Sequence, residues 1–170
     1  MDAVRRLLPT LSKSMRKGAC GRVCVVGGSA EYTGAPFFSA ISCLRLGVDI
    51  VHVCAPPDAA TVIKGYSPEL IVHPSQELSV VEEWAERVDG VVVGPGLGRT
   101  PAAKNLVQQL LPKLAEKAVV IDADGLFALT EVYPNVPSMS WTILTPNAVE
   151  LDRLCKKVLD QSTLQLEEDE

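Results

Sequence analysis

A chain of 170 residues, 47% hydrophobic and 22% charged, has the length and composition of one globular domain, which excludes a disordered chain. The 16 Lys and Arg residues against 21 Asp and Glu give a net charge of −5, which argues against a nucleic-acid partner. No apolar stretch is long enough to span a bilayer, so no membrane partner is expected either. Charge is uneven along the chain. Arg5, Arg6, Lys13, Arg16 and Lys17 crowd the start, and Glu167, Glu168, Asp169 and Glu170 close the sequence. The expected organisation is a basic segment over 1–20, an α/β domain over 21–160 and a disordered acidic tail over 161–170. Five cysteines without a CxxC pair fit a reduced compartment. The cytoplasm is the expectation. The mitochondrion is the alternative, because residues 3–17 are basic and carry Ser12 and Ser14, as a presequence would.

Taken in chain order, residues 22–28 (RVCVVGG) form a short β-branched run that stops at two glycines, which predicts a buried strand and a turn. Phe37, Ile41, Leu44 and Val48 recur at helical spacing, with Gly47 as the stop. Residues 49–55 read as a second strand, 58–65 as a short helix behind Pro56-Pro57, and 69–73 as a third strand closed by Pro74. Val80, Val81, Trp84 and Val88 make one apolar stripe, with Glu82, Glu83, Glu86 and Arg87 opposite, which predicts an amphipathic helix. Strand 90–93 runs into Gly94-Pro95-Gly96-Leu97-Gly98. Thr100-Pro101 then has the form of an N-cap with proline at the first helical position. The helix that follows is expected to kink at Pro112. Strand 118–121 ends at Asp122-Ala123-Asp124-Gly125, and strand 141–144 ends at Thr145-Pro146-Asn147, before a helix over 148–159. Six apolar strands alternating with helices predict a mostly parallel sheet with helices on both faces.

Ligands of such sheets bind beyond the carboxyl ends of the strands. Four strands here end in Gly27-Gly28, Gly94 to Gly98, Asp122 to Gly125 and Thr145 to Asn147, so these sets are expected to gather along one edge. The GxGxG of residues 94–98 lacks the GxGxxG spacing of a dinucleotide fingerprint, and no phosphate-loop sequence occurs. Both glycine turns therefore keep two readings: a tight turn, or a backbone N–H cradle for phosphate. Asp122 and Asp124, two apart on an extended segment, are expected to face the same way as a polar cleft or proton-handling pair. Their alternative is a turn plus a helix cap. Asn147 and Glu150 have the spacing of a capping box, although Asn147 would also face the cleft. His52 and His73 lie in strand patterns and read as packed residues, and Tyr32-Thr33-Gly34 as a loop over the first helix start.

The segments VVGGSAEYTGAP, YSPELIVHP, VVVGPGLGR, VVIDADGL and LTPNAVELDRL, in that order, resemble the eukaryotic ATP-dependent NAD(P)H-hydrate dehydratases of the ribokinase-like superfamily. The resemblance runs from Gly21 to Arg153. It implies a ribokinase-like α/β fold and repair of the S forms of NADHX and NADPHX, the hydrated dinucleotides, with ATP and Mg²⁺ as cofactors and an oligomer as a candidate assembly. Carried over by position, it implies a substrate site at Gly96, Asn147, Ala148, Val149, Glu150, Leu151, Asp152 and Arg153, with Tyr32 and Thr33 in a loop near the nicotinamide end. It also implies that the last strands and helices of the family fold, the ATP-side segment and the catalytic aspartate of a GxGD-type motif lie beyond Glu170. No metal ligand and no catalytic residue is therefore assigned within the chain. Two other readings stand beside this one: a non-catalytic dinucleotide-binding module, and a small-molecule kinase of the same superfamily.

Overall fold

The computed structural model describes residues 12–160, so the acidic tail at 161–170 lies outside the described residues. Six strands, β1 (Arg22–Val26), β2 (Ile50–Ala55), β3 (Ile71–Pro74), β4 (Gly90–Val93), β5 (Ala118–Ile121) and β6 (Thr142–Leu144), form one sheet in the order β3-β2-β1-β4-β5-β6. Every pairing is parallel. The described helices are α1 (Gly34–Leu46), α2 (Pro57–Tyr66), α3 (Leu78–Glu86), α4 (Pro101–Leu110), α5 (Asp124–Val132) and α6 (Ala148–Val158). The α/β class and parallel sheet are those the alternating pattern predicts.

Local chemistry fixes the boundaries. Thr100 accepts the Ala103 N–H at 3.1 Å and Pro101 opens α4, so this helix begins as a capped, proline-led segment. Pro112 acts as a stop rather than a kink: α4 ends at Leu110 and the chain tightens into a 3-10 turn over Leu111–Leu114. At α6 the capping box is complete, with Asn147 and Glu150 each accepting the other's backbone N–H at 3.0 Å. β1 ends at Val26, where the two glycines place its stop. The start of α5 departs from the sequence reading: a cap is expected from Asp122 or Asp124, whereas Asp124 lies inside the first turn and the N-cap is Ala123, with no side-chain cap hydrogen bond.

Apolar residues alternate between the two faces of β1. Cys24 and Val26 join a core with α3, α4, α5 and α6, and Val25 joins a second core with α1 and α2. Strand register places Val72, Val53, Val25, Val92, Val120 and Ile143 in one row across that second face. The first three are buried by α1 and α2. Val92 and Val120 are only partly covered, and Ile143 is 62% exposed. An apolar hollow of about 430 Å³ lies over this half of the sheet, against Val92, Val120 and Trp141. Helices thus cover both faces at one end of the sheet and one face at the other. The order of the strands reverses between β1 and β4, which makes their carboxyl ends the topological switch point where a parallel sheet opens a crevice.

Candidate functional site

The four polar strand ends meet along one edge, as their positions predict, and most of their glycines serve that meeting. Gly27 donates its N–H to Cys54 O at 3.1 Å and Gly28 to Pro95 O at 2.9 Å. Gln76 Nε2 donates to both glycine carbonyls at 3.0 Å. With both amides engaged inside the protein, Gly27-Gly28 is a packing turn and not a phosphate cradle. Gly94 is equally constrained: a Cβ there would strike the Asp122 carbonyl and the Gly125 amide.

Gly96 differs from its neighbours. The N–H groups of Gly94, Leu97 and Gly98 go to Val26 O, Gly94 O and Asp124 Oδ2 at 2.9, 3.0 and 2.9 Å. Gly96 is buried, and among the described residues its N–H makes no hydrogen bond. A buried amide without a partner is a position that a ligand can satisfy. Its φ of 63° is in the left-handed region, and a Cβ would sit 2.8 Å from both Tyr32 Cβ and Tyr32 O. The missing side chain seats the Tyr32 loop.

Asp122 and Asp124 do not face the same way. Ala123, at φ 48° and ψ −115°, breaks the extended geometry on which that expectation rests. Asp122 Oδ1 accepts the Thr145 hydroxyl at 2.7 Å, on the β6 side. Asp124 begins α5 and turns to the β4 side, where it accepts Gly98 N–H at 2.9 Å and Arg99 Nε at 3.0 Å. Both Asp124 oxygens therefore hold the Gly94–Gly98 turn and its following arginine in place. The alternative of a turn plus a helix cap holds for the turn, where Gly125 N–H meets Asp122 O at 2.9 Å, but neither aspartate caps α5, whose N-cap is Ala123.

Sequence reasoning missed Arg99 and Phe127. The Arg99 guanidinium carbon lies 4.6 Å from the centre of the Phe127 ring, and that of Arg153 lies 5.4 Å from the same ring. A cleft of about 570 Å³ runs between Tyr32, Gly96, Arg99 and Asp124, and a second of about 370 Å³ between Arg99, Asn147, Val149 and Arg153. Arg99 belongs to both. An arginine directly after the last glycine of a strand-to-helix turn was the available signal. Its partner Phe127 lies on α5.

Of the residues expected here, Gly96, Tyr32, Asn147, Ala148, Val149, Glu150 and Arg153 line these clefts. Thr33 is turned away, with Oγ1 2.8 Å from the Tyr66 hydroxyl on α2. Asp152 pairs with Lys156 at 2.6 Å, and Leu151 is exposed without lining either cleft. His52 and His73 pack together beneath Trp84 on α3 and line neither cleft. Among the described residues no group of three His, Cys, Asp or Glu side chains could hold a metal ion. None of the described helices is long and apolar enough to cross a membrane.

The ATP-dependent (S)-NAD(P)H-hydrate dehydratase of Caenorhabditis briggsae is 49% identical over 164 residues, covering 95% of this chain and 53% of that protein. Its counterpart in Ixodes scapularis is 53% identical over 155 residues, covering 90% and 50%. The chain thus spans about half the length of these relatives. In fold it is similar to a ribokinase-like superfamily protein from Enterococcus faecalis, with a TM-score of 0.81 at 22% identity over 93% of this chain and 56% of that one. An ADP/ATP-dependent NAD(P)H-hydrate dehydratase from Bacillus subtilis, co-crystallized with ATP/Mg²⁺, gives a TM-score of 0.69 at 22% identity over 94% and 57%. The family model described as NAD(P)H-hydrate dehydratase matches residues 23–169, and the chain belongs to that family.

Proposed function

We propose that the protein works as an ATP-dependent (S)-NAD(P)H-hydrate dehydratase, a lyase that returns NADHX and NADPHX to NADH and NADPH. The residues described here supply its dinucleotide side. The observation that carries this reading is the meeting of Gly96, Arg99, Asn147 and Arg153 along one sheet edge, in two clefts that share Arg99. A dinucleotide is long and carries its charge at the middle. Two clefts joined at a guanidinium match that shape and charge.

Each group has a defined task in this reading. The Gly96 N–H, without a partner among the described residues, is the donor this reading gives to the dinucleotide, in a cleft that Tyr32 and Asp124 also line. Asn147 and Glu150 hold the first turn of α6, whose exposed backbone donors favour anionic oxygen. Arg153, one turn further on, faces the same cleft. Among the described residues no three His, Cys, Asp or Glu side chains converge, so no protein cage for Mg²⁺ is assigned here; an ion of this kind is commonly held by one or two carboxylates together with substrate phosphates. The turn amides of Gly94, Leu97 and Gly98 are engaged internally, which leaves the Gly96 N–H as the free donor of this turn among the described residues. The described edge is assigned to the hydrated dinucleotide.

The test is calorimetric titration of the chain with (S)-NADHX, followed by addition of ATP and Mg²⁺ while dihydronicotinamide absorbance and ADP release are recorded together. Saturable binding that is lost in Gly96→Val is the expected result. A chain that folds cooperatively but binds no NADHX would overturn the assignment.

A further inference from the structure

We propose that Arg99, held over Phe127 beside Arg153, is a specificity-determining residue that grips the pyrophosphate of the dinucleotide where the two clefts meet. The proposal rests on the dinucleotide reading above and adds a residue to it.

The side chain is held in place before any ligand arrives. Asp124 accepts from Nε at 3.0 Å, and the Phe127 ring supports the guanidinium plane 4.6 Å below. That ion pair uses Nε, and the two terminal amino groups make no hydrogen bond among the described residues. They form the fork that matches two oxygens of a phosphate group. Asp124 is largely covered, at 16% exposure, whereas Arg99 is 54% exposed, so the acid anchors while the arginine reaches outward.

Charge supports the same assignment. In a chain of net charge −5, two guanidiniums converge on one ring. Asp124 balances Arg99 from its Nε side only, so an anion at the terminal amino groups of Arg99 would also gain from the Arg153 charge beside it. Arg153 approaches from α6 and Arg99 from the turn after β4, so their common neighbour would sit at the junction of the clefts. For a dinucleotide laid along both, that neighbour is the pyrophosphate. Lysine could supply the charge at this place but not the planar fork.

The experiment is titration of the full chain and of Arg99→Ala, Arg99→Lys and Arg153→Ala with (S)-NADHX at two salt concentrations, with thermal unfolding of each protein alongside. The expected result is a loss of roughly tenfold to a hundredfold in affinity for Arg99→Ala, with a shallower salt dependence. Arg99→Lys should keep the wild-type salt dependence while recovering only part of the affinity. Unchanged affinity in Arg99→Ala overturns the proposal and leaves the dinucleotide reading standing. So does a loss of affinity at unchanged salt dependence, which would make Arg99 a support for Asp124. Absence of NADHX binding by the wild-type chain overturns both.

Discussion

His52 Nδ1 and His73 Nε2 lie 2.9 Å apart on adjacent parallel strands, with the Trp84 ring stacked on both imidazoles at 4.5 and 4.0 Å. One ring must donate and the other accept, so the contact requires at least one neutral imidazole.

That requirement makes stability depend on pH. Burial lowers the pKa of both groups, that of His73 to about 4. Arg87 adds to the effect at His52, and His52 and Lys64 add to it at His73, while Glu83 opposes it. A base with a depressed folded pKa binds fewer protons when folded, so its contribution is complete above the unfolded value near 6.5 and is lost as pH falls toward 4. The unfolding midpoint should therefore drop between pH 6.5 and 4, and His73→Gln should flatten that profile. Asp89, held below the ordinary carboxylate range by its hydrogen bond to Arg22, contributes at lower pH and leaves the histidine window distinct. An identical pH profile in the variant would refute this account.

Gly94→Ala should be among the most damaging small substitutions. The new methyl meets the Asp122 carbonyl and the Gly125 amide, and φ is 119°, so the loss should reach about 3 kcal/mol or more. Gly47→Ala separates the two causes. Its φ is 105° but nothing lies within 4 Å, so only the backbone term of about 1–2 kcal/mol applies. Denaturant titration of both variants reads the difference.

Asn147 caps α6 and lines the cleft proposed for the dinucleotide, and the two contributions can be separated. Asn147→Ala removes the cap and should cost about 1 kcal/mol. Asn147→Asp keeps a capping oxygen and suits the helix dipole, so stability should hold. The same variant places a negative charge in the anion-facing cleft, and NADHX affinity should fall. Equal NADHX affinity in wild type and Asn147→Asp would show that this residue only caps.

The half-covered sheet face predicts unequal responses along one row. Val53→Ala, at 0% exposure, should lose about 1.5–3 kcal/mol. Ile143→Ser, at 62% exposure, should change stability by less than about 0.5 kcal/mol and reduce self-association of the chain. Light scattering and thermal unfolding check both arms.

The elements most legible in the sequence are those bounded by residues that decide matters locally. β4 lies between Gly90 and Gly94, and α4 opens at Thr100-Pro101, so both could be bounded without tertiary information. The start of α5 was less legible because its first turn contains Asp124 and Gly125. Here Gly125 is required by contact with Val93 and Gly94, and Asp124 by its bonds to Gly98 and Arg99. Such requirements come from chain segments about 25 to 32 residues away. Arg99 was overlooked for the same reason, since its importance depends on Phe127 and Arg153 and not on its neighbours in sequence. Gly96 and Arg153 were legible because a familiar order of motifs carried them.

Strand β1 belongs to both cores, with Val25 on one side and Cys24 and Val26 on the other, and it pairs with β2 and β4 at once. β2 is enclosed in the same way, with Cys54 in one core, Val53 in the other and a paired strand on each side. Amide exchange with deuterated solvent should therefore be slow in both strands, at Val25 and Val26 and at Val53 and Cys54, and fastest at Ile143, which has one paired neighbour and an open face. The glycine turn that carries Gly96 follows the strand beside β1, and Arg153 rises from the helix after β6. The two ends of the candidate cleft thus hang from an inner strand and an open-faced one, and a ligand that bridges them would stiffen the far strand.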